Sequence, residues 1–174
     1  VVTNIVVLAD CHIHPGGGPN WAEVALAAFA GADLIVTLGD MGEAVGLEPL
    51  AAIAPVQGVM GADDQPGPYV QGRTRLVEVG DVKIACVFDP VAEGLASSKE
   101  PLKLASPEAR AAVIGGEADV LLWASTHIPD VGHQDGVLTV NPGSATLPDK
   151  GSAASFARLT VAAGEVSAEI VNLA

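Results

Sequence analysis

Short apolar, β-rich runs that alternate with helical stretches and end in Gly, Asp or His leave few folds open to this chain. Residues 4–9 are apolar at nearly every position, as a strand covered on both faces must be. Asn20 is placed to cap a helix over residues 21–30, with Gly31 as its stop, and residues 34–38 read as the next buried strand. A first βαβ unit is therefore complete by Gly39. A second helix over 47–54, ended by Pro55, and a strand over 56–60 follow. Beyond a Pro- and Gly-rich loop at 61–72 the pattern changes, because residues 74–79 and 82–88 flank Gly80-Asp81, a turn suited to an antiparallel hairpin. Ser106-Pro107-Glu108 opens a helix to about Ile114 that Gly115-Gly116 closes. Residues 120–123 and 137–140 are further buried strands, and 155–161 with 166–173 form a last hairpin around Gly164-Glu165. The expectation is one α/β domain spanning residues 1–174.

Composition narrows the function. Eight Lys plus Arg against 21 Asp plus Glu give a formal charge of -13, a field that repels polyphosphate, so nucleic acid and anionic membrane surfaces are poor partners. No apolar run approaches the roughly 20 residues of a membrane span. Cys11 and Cys86 sit in apolar, strand-like surroundings and no signal-like segment opens the sequence, so the expectation is buried, reduced thiols in the cytoplasm.

Four polar clusters fall immediately after predicted strands, where open α/β sheets place their ligands: Asp10-Cys11-His12, Gly39-Asp40, Gly61-Ala62-Asp63-Asp64 and Ser125-Thr126-His127. A carboxylate and an imidazole one residue apart at a strand end can point the same way, which makes Asp10 and His12 a candidate pair of metal ligands. Gly39 permits a tight turn that lets Asp40 reach the same point, and His127 could complete a set of two carboxylates and two imidazoles.

Taken together these clusters resemble the calcineurin-like metallophosphoesterase superfamily, in particular its small YfcE-like branch and the related retromer subunit of eukaryotes. Asp10 and His12 match that family's Asp-x-His, Gly39 and Asp40 its Gly-Asp, Thr126 and His127 the end of its Gly-His-Thr-His, and Asn141-Pro142-Gly143-Ser144 its Asn-Pro-Gly-Ser. The resemblance implies a four-layer α/β/β/α sandwich with a two-metal site at the strand ends. It implies that Asp10, His12, Asp40 and His127 hold the first metal and act as the catalytic residues, with Asp40 bridging to a second.

The departures are equally specific. Ala62 stands where the family has an Asn ligand, Phe88 where it has a His, and Ser125 where it has another His. The expectation is one divalent ion, with manganese, zinc, iron and nickel not distinguished, and little phosphodiester hydrolysis. One metal against two carboxylates leaves a net charge near zero, and Asp63, Asp64 and Asp89 push it negative, so a phosphoester meets little attraction. Asp63 and Asp89 adjoin two of the lost ligands, and a one-residue shift could rebuild a second site suited to manganese or magnesium. The rival reading is an inactive metal-binding scaffold that docks a protein partner, and a third is a pocket for some other small molecule. His14 and His133 read as exposed loop histidines, Gly16-Gly17-Gly18 as a loop lip, Trp21 and Tyr69 as contact points, and Trp123 as core.

Overall fold

The computed structural model describes residues 1–14 and 16–173. Two five-stranded sheets face each other. The first has the order β12-β11-β1-β2-β3, built from β1 (Val2–Leu8), β2 (Leu34–Thr37), β3 (Val56–Gly58), β11 (Ser155–Ala162) and β12 (Glu165–Asn172). The second has the order β4-β5-β8-β10-β9, from β4 (Thr74–Val79), β5 (Val82–Val87), β8 (Val120–Leu122), β9 (Pro129–Gln134) and β10 (Val137–Pro142). Each sheet holds three parallel strands, β1-β2-β3 in one and β5-β8-β10 in the other, flanked by antiparallel neighbours. The carboxyl ends of these six parallel strands converge on one rim, which carries all four clusters singled out above.

Alternation along β1 shows why its sequence is apolar throughout. Ile5 and Val7 pack with Ile84, Cys86, Val120, Leu122 and Val140 between the sheets, while Val6 and Leu8 turn to the other side. There they meet α1 (Glu23–Ala28) and α2 (Glu48–Ala51) through Ala25, Phe29 and Leu50. Phe29 is fully buried and meets Trp21 and Phe156 edge to face, at centroid distances of 5.7 and 5.0 Å. The outer face of the second sheet is covered by the hairpin β6 (Ala96–Lys99) and β7 (Leu102–Leu104), with α3 (Pro107–Ile114) beside it. The α/β/β/α order holds, although a hairpin shares the fourth layer with the helix.

Several expectations are corrected. Helix α1 is shorter than residues 21–30 and begins after Ala22, not at an Asn20 cap, because Trp21 is docked through its indole N–H on the Gly46 carbonyl at 2.6 Å. The second helix starts earlier, as a 3-10 turn over Ala44–Leu47, and ends at Ala51. Strand β9 and the β6–β7 hairpin were not expected. Strand β9 begins at a proline and lies at a sheet edge, where a missing N–H leaves no gap in the ladder. His133 accordingly sits on a strand opposite Leu138, not in a loop. Asn141 and Pro142 end β10. The Ser106 cap is as expected: its hydroxyl accepts the Ala109 N–H at 3.2 Å and Gly115 ends α3 in the left-handed conformation. Ser106→Ala is expected to lower stability by about 1 kcal/mol, read as a shifted urea midpoint at unchanged slope. Among the described residues no helix is long and apolar enough to cross a membrane.

Candidate metal centre

Five residues at this rim, Asp10, His12, Asp40, Ser125 and His127, have φ between 48 and 77°. L-residues avoid that region at a cost of roughly 1–2 kcal/mol each, so the surrounding contacts must hold them there. A ladder of backbone bonds does so between the two loops. Asp10 N–H donates to Gly39 O (3.0 Å), His12 N–H to Asp40 O (2.9 Å) and Ile13 N–H to Met41 O (2.8 Å), extending the β1–β2 pairing past the strands. Asp10 and His12 therefore converge through left-handed backbone, not through the alternation of an extended strand.

Neighbouring segments complete the support. The Ser144 hydroxyl donates to Asp10 O at 2.7 Å and accepts Leu147 N–H at 2.8 Å. The Asn141 amide donates to the Thr126 hydroxyl at 3.0 Å, tying the end of β10 to the loop that carries His127. Asp64, which the sequence offers only as another nearby charge, organises the third loop. Its carboxylate accepts N–H groups from Asp40 (2.6 Å), Gly61 (2.7 Å) and Met41 (3.2 Å). Gly61 approaches so closely that a Cβ on it would lie 2.3 Å from Asp40 Oδ1.

The four candidate ligands meet. His127 Nε2 lies 3.6 Å from Asp10 Oδ1, His12 Nε2 lies 3.8 Å from Asp40 Oδ2, and the two imidazoles stack at a centroid distance of 5.5 Å. Their donor atoms form two overlapping groups, Asp10 with His12 and His127, and His12 with Asp40 and Asp63, each within 4.8 Å. Asp63, whose N–H donates to Asp40 Oδ1 at 3.1 Å, thus joins the cluster, while Asp64 beside it faces the backbone amides. Asp89 does not join: it caps the N–H groups of Val91 and Ala92 and pairs with Lys99 at 2.6 Å. Ala62 and Ser125 bring no strong ligand, and Phe88 packs into the intersheet core.

Electrostatics at the cluster suit a cation. Asp10 is fully buried, and its Oδ1 has no hydrogen-bond partner. Burial is the main cause that pushes its carboxyl up to about 6; the charge of Asp40 adds to the rise, while His127 and the Ser125 N–H oppose it. Burial also raises the Asp40 carboxyl. An orphaned, desolvated carboxylate oxygen facing an imidazole nitrogen is stabilised by a bound dication. The second nitrogen of each facing ring is not spare everywhere: His127 Nδ1 lies 2.7 Å from Leu147 O, and donating its proton there leaves the Nε2 lone pair free toward Asp10. Nothing in the sequence around Leu147 signals that carbonyl. Cys11 and Cys86 are buried free thiols, pushed up to about 12 chiefly by desolvation, so neither offers a thiolate. His14 is exposed and pairs with Glu43 at 3.5 Å.

Comparison with known proteins adds to this geometry. A sequence model described as the calcineurin-like phosphoesterase superfamily domain matches residues 4–164. A "probable metallophosphoesterase" of Methanothermobacter thermautotrophicus is 29% identical over 144 residues, covering 83% of this chain and 78% of that protein. Among solved structures, Vps29 of Chaetomium thermophilum superposes with a TM-score of 0.72 at 22% identity, covering 97% of each chain. A zinc complex of Vps29 from Entamoeba histolytica superposes at 0.68 with 20% identity, covering 98% of this chain and 99% of that one. At such identities the structural likeness speaks for the fold alone.

Proposed function

The chain belongs to the calcineurin-like phosphoesterase superfamily, and from that premise we propose that it is a one-metal phosphoesterase whose action on phosphodiesters is attenuated. The observation that carries this reading is the buried, unpartnered Asp10 Oδ1 facing His127 Nε2. Family membership implies use of a divalent metal, and Asp10, His12, Asp40 and His127 are the residues that would hold it. When bound, such an ion acts as a Lewis acid and lowers the pKa of a coordinated water toward 7.

The protein's own groups do the rest. Leu147 O fixes the His127 tautomer, and the Ser125 N–H, donating to Asp10 Oδ2 at 3.1 Å, fixes the rotation of that carboxylate. Asp10 sits out of water, whereas His12 and His127 are part-exposed and leave the rim open to a small phosphoester. Attenuation follows from charge. Two positive units meet Asp10 and Asp40, and Asp63 adds a further negative one at the same cluster, so the phosphoryl oxygens find no excess positive field. The reading takes the protein to act in the cytoplasm as one domain, away from nucleic acid and membranes; free buried thiols fit a reducing compartment.

Hydrolysis of bis-p-nitrophenyl phosphate with added manganese tests the proposal. The expected rate lies above the metal-free background but at least 100-fold below the roughly 10 s⁻¹ of a typical enzyme, and His127→Ala returns it to background. A rate in the ordinary enzyme range contradicts the attenuation, and an unchanged rate in His127→Ala contradicts the site.

A further inference from the structure

Lys99 ends β6, on the hairpin that sequence reasoning did not find, and reaches the metal-facing rim from the second sheet's outer layer. In a chain with 8 basic and 21 acidic residues, its ammonium is committed to two loops at once. It donates to Asp89 Oδ2 at 2.6 Å and to the Ser125 hydroxyl at 3.0 Å. Both partners are significant. Asp89 adjoins Phe88, and Ser125 lies two residues before His127, so these are the loops in which the resemblance implies second-ion ligands. Ser125 also joins Lys99 to the centre directly, since its own N–H donates to Asp10 Oδ2 at 3.1 Å.

We propose that the Lys99 ammonium takes the place of a second metal ion, engaging the Asp89 and Ser125 oxygens so that the centre holds a single dication. This rests on the one-metal reading above. The physical reason is like-charge exclusion: an ammonium fixed by two hydrogen bonds opposes a dication brought beside it and denies it the oxygens it would need. The pairing is well made. Lys99 and Asp89 are both largely covered, with side-chain exposures of 29 and 25%; burial works to raise the Asp89 carboxyl, and Lys99 together with the Ala92 and Val91 N–H groups holds it below the usual carboxylate range. Removing the ammonium would leave Asp89 Oδ2 and the Ser125 hydroxyl unpartnered on that side, while Asp89 Oδ1 keeps the Val91 and Ala92 N–H groups; the freed oxygens are hard donors of the kind manganese accepts.

Lys99→Met removes the charge at similar length, and Lys99→Arg keeps it. After equilibration with excess manganese, wild type and Lys99→Arg are expected to hold one ion per chain with an isolated-ion electron paramagnetic resonance spectrum. Lys99→Met is expected to hold two, with the spectrum of an exchange-coupled pair. Two ions in wild type, or one ion at wild-type affinity in Lys99→Met, overturns the inference. A wild-type chain that binds none overturns the one-metal reading and this inference with it. Should Lys99→Met not fold, Asp89→Asn decides: an uncompensated ammonium should weaken the single ion by about tenfold, and unchanged affinity counts against the proposal.

Discussion

Asp10→Asn is expected to weaken manganese binding by at least about 100-fold while making the metal-free protein more stable at neutral pH. The two effects share one cause. Asp10 is fully buried, its Oδ1 has no partner, and burial raises its carboxyl from 3.8 to about 6. A raised carboxyl binds its proton more tightly in the folded than in the unfolded chain, so the folded state is favoured at low pH and that advantage is lost between about pH 4 and 6. At about 1.4 kcal/mol per pH unit, the ionised group costs the metal-free protein on the order of 3 kcal/mol at pH 7. Asparagine cannot ionise. Its carbonyl can still accept the Ser125 N–H, and its amide can face His127 Nε2. Urea unfolding in the presence of a chelator should therefore show wild-type stability declining from pH 4 to 6, and that decline flattened in Asp10→Asn. Manganese should reverse the wild-type trend, because the ion requires the ionised carboxylate. Equal pH slopes for the two proteins would remove the argument for an orphaned carboxylate.

Gly39→Ala should be strongly destabilising. Gly39 has φ of +107°, and an added Cβ would stand 2.5 Å from Gly61 N and 2.9 Å from Phe88 Cδ2. Two of these clashes cannot relax cheaply, since one is with backbone that Asp64 clamps and the other with a ring in the intersheet core. The expected loss is about 3–4 kcal/mol, or roughly 10 °C in melting temperature for a chain of this size. Gly80→Ala is the control. Gly80 also has positive φ, +58°, but nothing lies within 4 Å of the added carbon. Only the conformational term of about 1 kcal/mol remains there. Equal melting temperatures for the two variants would show that the approach of the Gly39 and Gly61 loops is slack.

The inner strands and the rim were readable because strands buried on both faces are largely apolar and several break off at a small or acidic residue; the pairing of two sheets came from the family resemblance, and the edge strand β9 was missed. Asp10, His12, Asp40 and His127 could be picked out on that ground; they line one rim in two overlapping donor groups that share His12, with Asp40 grouped with Asp63. Partners that come from distant chain were not readable. The Leu147 carbonyl that orients His127 has no side-chain signature, and Lys99 arrives on a hairpin whose sequence, Ala-Ser-Ser-Lys-Glu-Pro-Leu-Lys-Leu, has neither an Asn-Gly turn nor a clean alternation. Asp63 and Asp64 show the limit most sharply. Adjacent and chemically identical, one turns to the ligand cluster and the other to three backbone amides, a division only the folded loop decides.

The candidate ligands do not all belong to the same sheet. Asp10, His12 and Asp40 follow β1 and β2, whereas His127 follows β8 across the core. An ion seated among them would act as a crosslink between two halves otherwise joined by apolar contact and a few hydrogen bonds, such as Ser125 N–H to Asp10 Oδ2 and the Ser144 hydroxyl to Asp10 O, and neither half could come apart without releasing it. Metal release and unfolding should then report one cooperative event, with the ion resisting sliding of one layer over the other, which apolar packing alone opposes only weakly.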